Sequence, residues 1–466
     1  METPLYTALT DYQKKKYASF HTPGHKNTIS FLKYNLYNLD FTELPDTDSL
    51  FEAEGCILKA EQAAAKAFST LLCVLSAGGC TMCIQGMLRL AAPSGGKLVC
   101  GRIITMCIQG MLRLAAPSGG KLVCSRIIHR SAVNTMALLG IDPVWVMPEP
   151  NAGEGLAGRI TPEGVRRALE KNPEAKGVYL TSPDYYGVIC DIQGIACVCK
   201  KYGVPLLVDN AHGAHLGYLS ENLHPIHLGA SMAACSAHKT LPVLTGGAWL
   251  QINDSRYLEG VKEAMSLFGS TSPSYPVMAS LDLCRAWLED EGQKAFQTLE
   301  RRVGAVKKLA AAKGLGIPEG LTDPARITLN TAKIGLTGQK AAQGFREYGV
   351  EPEYADDGFV VLIPAPFNTE EEFLRVERAI EAMPMGAHLT IGRRIPPVSE
   401  QAVSPRKAVL SPSEEVPMNL AVGRIAAQAA CPCPPGVPVV MPGEVISEKA
   451  AEFLIRYGFS SAKVLK

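Results

Sequence analysis

Residues 205–215 read PLLVDNAHGAH. The run is apolar throughout until it reaches Asp209, with Gly203 and Pro205 before it and Gly213 after it. A short apolar stretch bounded in this way reads as a strand covered on both faces, as parallel sheets require. In an open parallel sheet, ligands bind outside the carboxyl ends of the strands, so a carboxylate at that end faces a site.

Working outward, strand-like runs alternate with helical patterns. PVWVM (143–147) precedes a helix near 162–171, and GVYLTS (177–182) precedes a helix near 191–202 that leads into the 205–209 strand. Strands separated by helices imply right-handed crossovers and a mainly parallel sheet. A long amphipathic stretch from about 288 to 313 then leads to ITLNTAKI, FVVLIPA and the helix TEEEFLRVERAIEAM, which suggest a smaller α+β domain. The expected division is an N-terminal arm (1–35), a major domain (36–310), a small domain (311–383), a Pro- and Ser-rich linker (384–417) and a C-terminal segment (418–466).

One feature interrupts the major domain. Residues 81–104 recur as 105–128, with Ser125 in place of Gly101 as the single difference. Two near-identical units are a tandem duplication, since solenoids need at least three units to bury a core. Each copy reads as a helix, a Pro-Ser-Gly-Gly loop and the strand KLVC. The favoured threading uses the helix of copy one (82–90) and the strand of copy two (121–124), with residues 92–119 looped out away from the site.

Lys plus Arg number 46 against 45 Asp plus Glu, a net charge of +1. That balance argues against nucleic acid as a partner, because such binding needs a basic footprint. No apolar run approaches the roughly 18 residues that span a bilayer, so a soluble, cytoplasmic protein without a membrane partner is expected. Its fourteen cysteines then read as reduced thiols. The C-x-C pairs 197/199 and 431/433 lack matching partners, so no metal site is expected, and Cys80-x-x-Cys83 reads as a packed turn.

Thirty residues beyond Asp209, CSAHKT (235–240) places Lys239 after Ser236 and His238 and before LTGGAWL. A lysine among small and hydroxylated residues can form a Schiff base, and a strand-end carboxylate can hold a pyridinium nitrogen protonated. Together they suggest pyridoxal phosphate. LLCVLSAGGCT (71–81) adds a strand, a Gly78-Gly79 turn and a helix start where backbone N–H groups and Thr81 suit a phosphate. FGSTSPSY (268–275) offers a second hydroxyl-dense stretch.

In order and content these motifs resemble the fold-type-I pyridoxal-phosphate decarboxylases of ornithine, lysine and arginine, in their compact Gram-positive form. The resemblance covers nearly the whole chain: SFHTPGHK (19–26), DFTELPDTDSLFEAEG (40–55), HRSAVNTMALLGIDPVWV (129–146), TSPDYYGV (181–188), DNAHGAHLG, SAHKTLPVLTGGAWL and AVGRIAAQAACPCPPGVPVVMPGE. It implies a large α/β domain, a smaller α+β domain and a C-terminal segment, acting as a basic-amino-acid decarboxylase. It further implies Lys239 as the cofactor lysine, Asp209 as partner of the ring nitrogen, and His129 as the residue stacked on the ring. Ala211 and His212 would lie under the cofactor, and Ser236 and His238 on its phosphate side. Gly79, Cys80 and Thr81 would form the phosphate turn, and Thr271 and Ser272 would reach a neighbouring subunit's phosphate, so at least a homodimer is implied.

The chain departs from the family at Cys80 (usually Ser or Thr), Asn210 (usually Glu), Cys433 (usually aromatic) and in the duplication. A basic substrate needs acids at the far end of its pocket, for which Asp46, Asp48, Glu351, Glu353, Asp356 and Asp357 are candidates. An aminotransferase or lyase of the same fold, or an impaired paralogue serving as a binding subunit, are the competing expectations.

Overall fold

The computed structural model describes residues 18–20, 50, 53–54, 56–77, 120–149, 156, 158–259, 261–266, 274–391, 397–430 and 438–466. Gly79, Cys80, Thr81, Thr271, Ser272, Asp46, Asp48, Cys83, Cys431 and Cys433 lie outside them, as does the repeat up to residue 119.

Strand β1 (Ala18–Phe20) is followed by β2 (Leu72–Ser76), β3 (Gly120–Ser125), β4 (Ile141–Val146), β5 (Val178–Thr181), β6 (Leu206–Asp209), β7 (Met232–Cys235) and β8 (Ala248–Ile252). The last seven form one sheet in the order β2-β8-β7-β6-β5-β3-β4. β3 to β7 pair in parallel, and β8 runs antiparallel to both β2 and β7. β6 is buried along its whole length, the pattern expected of a central parallel strand.

The helices of this domain begin and end where their caps dictate. Thr161 accepts the Gly164 N–H at 3.1 Å ahead of Pro162–Lys171. Asp191 caps Ile192–Tyr202 in the same way, and that helix stops at Gly203, whose φ of +68° suits glycine. Both helices pack their apolar faces on one side of the sheet, with Val165, Leu169, Ile192, Ile195 and Cys199 buried.

The long stretch expected from 288 to 313 is longer than its periodicity implies. A helix over Tyr275–Trp287 continues through a π-helical turn, Leu288–Gly292, into a helix over Gln293–Ala312. It leads to β9 (Ile327–Asn330), β10 (Val350–Pro352), β11 (Tyr354–Ala355) and β12 (Phe359–Leu362). β11, β12 and β9 make a three-stranded antiparallel sheet, while β10 pairs in parallel with β1. Within the span read as a linker, Pro405–Leu410 is helical and residues 413–417 form β13 (Ser413–Pro417), which pairs with β14 (Ser461–Leu465).

The sheet position between β4 and β5 is filled by the strand of the second repeat copy, with Leu122, Val123 and Cys124 fully buried. Deleting residues 81–104 joins Cys80 to the second copy and leaves β3 and everything after it unchanged. The deletion variant should melt no lower than the parent and be at least as active. Failure to fold, or loss of activity, would show that the excised copy belongs to the structure.

Candidate active site

The carboxyl ends of β3, β5, β6 and β7 point the same way, and the residues just beyond them build one cluster. Asp209 ends β6, is 3% exposed, and its carboxylate accepts hydrogen bonds from two donors. The Ala211 N–H donates to Oδ1 at 3.1 Å, and the Tyr179 hydroxyl on neighbouring β5 donates to Oδ2 at 3.2 Å. Burial pushes this carboxyl above its ordinary range, opposed by the Lys239 charge and those two donors.

β7 ends at Cys235, and Ser236 opens the short helix Ala237–Thr240 that carries His238 and Lys239. Lys239 Nζ lies 2.9 Å from His212 Nε2. His212 is held well below its ordinary pKa, first by burial and then by Lys239, Arg326, His129 and His238. It is therefore neutral, with Nε2 facing the lysine and Nδ1 buried without a hydrogen-bond partner. His238 Nδ1 sits 3.1 Å from the Gly247 carbonyl. His129, half-buried, follows β3 and starts the helix Arg130–Leu139, its carbonyl accepting from the Ala132 N–H at 2.9 Å.

The turn after Asp209 explains one departure from the family pattern. Asn210 is fully buried, and its Nδ2 donates to the Gly213 carbonyl at 3.1 Å while lying 3.1 Å from His224 Nε2 and 3.2 Å from Cys235 Sγ. A glutamate there would turn an acceptor toward that carbonyl. Burial, followed by His215 and His227, lowers the His224 pKa to about 3, so the imidazole beside Asn210 is neutral.

A second layer fixes His212 from below. Arg326, 2% exposed, donates to the His212 carbonyl from Nη2 and to the Tyr185 carbonyl from Nη1, both at 3.1 Å. Gly187 makes room for it: its φ is +84°, and an added Cβ would stand 3.0 Å from Arg326 Cγ. The Tyr185 ring meets His212 edge-on with centroids 5.0 Å apart, and its hydroxyl donates to Glu353 Oε1 at 2.6 Å.

The candidate substrate acids separate by their partners. Glu351 pairs with Arg346, and Asp357 with Arg456. Asp356 is buried, accepting from the Tyr186 hydroxyl and from the Gly358 and Phe359 N–H groups. Among the described candidates Glu353, half-buried, is joined to the cluster through Tyr185, and it also lines a cleft of ≈ 670 Å³ together with Arg346, Asp356, Asp357, Arg456 and Tyr457. Tyr179 and Arg326 carry no motif of their own in the sequence, and Tyr185 lies in TSPDYYGV without a role assigned to it there. Tyr179 sits inside an apolar strand run, and Arg326 reaches the cluster from 114 residues away.

A sheet with one reversed strand, and a lysine just beyond a strand two places in from its edge, is the architecture of fold-type-I pyridoxal-phosphate enzymes. Comparison with known proteins gives the narrower placement. The family description "Orn/Lys/Arg decarboxylase, major domain" matches residues 3–105 and 103–318, breaking where the repeat copies meet, and "Orn/Lys/Arg decarboxylase, C-terminal domain" matches 394–461. The chain belongs to the Orn/Lys/Arg decarboxylase family.

It is 29% identical to an arginine decarboxylase of Bacillus anthracis, covering 97% of this chain and 92% of that protein. It is 31% identical to the uncharacterized protein YaaO of Bacillus subtilis, over 98% and 94% of the two chains. The solved constitutive lysine decarboxylase of Escherichia coli shares the fold, with a TM-score of 0.71 at 18% identity over 100% of this chain and 82% of that one. No helix among the described residues is long and apolar enough to cross a membrane.

Proposed function

We propose that the chain binds pyridoxal 5'-phosphate on Lys239 and decarboxylates a basic amino acid (lysine, arginine or ornithine), releasing CO2 and a diamine or polyamine precursor. The observation that carries this reading is a buried strand-end carboxylate, Asp209, sharing one cluster with the Lys239 amine. Two features of the cluster fit the cofactor. Asp209 is a buried acid whose raised pKa calls for a further cationic partner, such as a protonated ring nitrogen. His212 Nδ1 is a buried polar atom beside the lysine that a polar ring substituent would satisfy.

When bound, the cofactor supplies a protonated ring that accepts the electrons of the breaking Cα–carboxylate bond. Asp209 keeps the ring nitrogen protonated, positioned by Tyr179 and Ala211. Neutral His212 would accept a hydrogen bond from Lys239 through Nε2, and the lysine released by the substrate amine, in its protonated form, is the natural proton donor to the substrate Cα. Glu353, oriented by Tyr185, takes the distal cation of the substrate. His129, Ala211, Ser236 and His238 would surround the cofactor, and the family resemblance assigns its phosphate to Gly79, Cys80 and Thr81.

The enzyme is a homodimer or higher oligomer of the cytoplasm in this reading. Support for the oligomer comes from the resemblance of residues 19–26 and 268–275 to segments that complete a neighbour's site, Thr271 and Ser272 among them.

Borohydride treatment of the yellow protein should fix the cofactor to the peptide carrying Lys239, and incubation with lysine, arginine and ornithine should yield the matching amine from at least one. An adduct on a different lysine, or no adduct at all, would overturn the assignment.

A further inference from the structure

Beyond the end of β3, the chain has four residues in which to leave the sheet and present His129. Arg126 stays on the sheet by its backbone, donating its N–H to the Val146 carbonyl at 3.0 Å. Its side chain turns the other way. Nη1 meets Glu444 Oε1 at 2.6 Å, Nη2 meets Oε2 at 2.9 Å, and Nη2 also donates to the Val439 carbonyl at 3.1 Å. Both side chains are 2% exposed.

Glu444 is itself held, since its Oε2 accepts the Met441 N–H at 2.8 Å. The guanidinium lies over the Trp145 ring, 5.1 Å from its centroid. A planar, two-pronged pair shut away from water fixes orientation as well as distance. The residues between it and His129, Ile127 and Ile128, are buried, so a shift of Arg126 is passed along the turn rather than absorbed by solvent.

We propose that Arg126 is a positioning residue. Clamped on Glu444, it lets the C-terminal segment fix the turn that presents His129 to the cofactor, so that cofactor affinity depends on a contact 318 residues away in sequence. The first repeat copy carries Arg102 after Gly101 where the second has Arg126 after Ser125, and Glu444 holds Arg126. The pair is thus also a marker of which copy is seated. The proposal rests on the reading of the cluster as a pyridoxal-phosphate site.

The test compares the full-length parent with Glu444→Gln, Arg126→Lys and a control, Glu414→Gln on β13, which makes an exposed pair with Arg424 of the C-terminal segment. Pyridoxal 5'-phosphate affinity is measured by absorbance titration, and hydrogen exchange is followed in the cofactor-free proteins. Glu444→Gln should weaken cofactor binding by about tenfold or more and speed exchange across residues 126–139, while the helix Glu448–Arg456 exchanges as in the parent. Arg126→Lys, which keeps the charge and loses the two-pronged geometry, should move both readouts the same way by less. Glu414→Gln should match the parent.

An affinity within about twofold of the parent, or faster exchange throughout the C-terminal segment with residues 126–139 unmoved, would overturn the proposal. So would loss of folding in both variants, which would make the pair a stability element alone. A parent that takes up no cofactor refutes the site reading instead, and the exchange comparison then decides the clamp by itself.

Discussion

Replacing Asp209 by Asn is expected to cut decarboxylation by about a thousandfold or more, a barrier increase of roughly 4 kcal/mol, while the cofactor-free protein stays folded. Asn keeps an oxygen for the Ala211 N–H and nearly the same volume, so the local hydrogen bond survives. What disappears is the negative charge proposed to hold a proton on the cofactor's ring nitrogen.

The sign of the stability effect follows from the pKa. Burial raises the Asp209 carboxyl above its ordinary value, so the folded state binds that proton more tightly than the unfolded chain does. At neutral pH the buried charge therefore costs stability, and the Asn variant should melt at or above the parent temperature without cofactor. Turnover within about tenfold of the parent would remove Asp209 from the reaction.

Replacing Asp323 by Ala has the largest expected effect on the fold. The carboxylate is 1% exposed, meets His215 Nε2 at 3.0 Å and accepts the Ala325 N–H at 2.9 Å. Arg326 Nη2 stands 3.5 Å from its second oxygen, too far for a hydrogen bond and near enough for an ion pair. Removing it breaks a buried set of charge contacts with His215 and Arg326, and breaking a buried pair typically costs about 3–5 kcal/mol out of a total of roughly 5–15. Because Arg326 holds the His212 and Tyr185 carbonyls, activity should fall along with the melting temperature.

Burial alone would raise the Asp323 pKa, yet His215, Arg326 and Lys307 outweigh it and bring it to about 2 from an ordinary 3.8. A depressed acid contributes stability that is complete above its unfolded pKa and is lost as pH falls through the folded one. The gap between parent and variant should thus be constant above about pH 4 and close toward pH 2. A gap that persists undiminished at pH 2 would show that the carboxylate's charge is not what stabilises the fold.

Much of the α/β architecture can be read from local pattern. The runs ending in Thr181 and Asp209 are apolar because both faces of their strands are covered, and Thr161, Asp191 and Thr369 mark helix starts by cap chemistry. Asp209 and Lys239 are legible because strand ends and the small residues around the lysine constrain what can stand there. The rest depends on distant contacts that leave no periodic trace. The reversal of β8, the pairing of β1 with β10, and the reach of Arg326 to His212 each join segments that are silent about one another in sequence. Among the described candidate acids, Glu353 is set apart by its link to the cluster through the hydroxyl of Tyr185, 168 residues upstream.

The one residue that separates the two repeat copies has a consequence for the gene. Ser125 Oγ accepts the Ile127 N–H at 3.1 Å in the buried turn ahead of His129, and a glycine offers no such oxygen. Tandem copies invite recombination that excises one unit, and the crossover point decides which residue survives. An exchange anywhere in the tract where residues 81–100 match 105–124 retains serine. An exchange within the short matching stretch 102–104 and 126–128 retains glycine and removes the acceptor. The longer shared tract offers more places for the first outcome, so spontaneous revertants should mostly carry the serine, and the rare glycine revertants should be the less stable proteins.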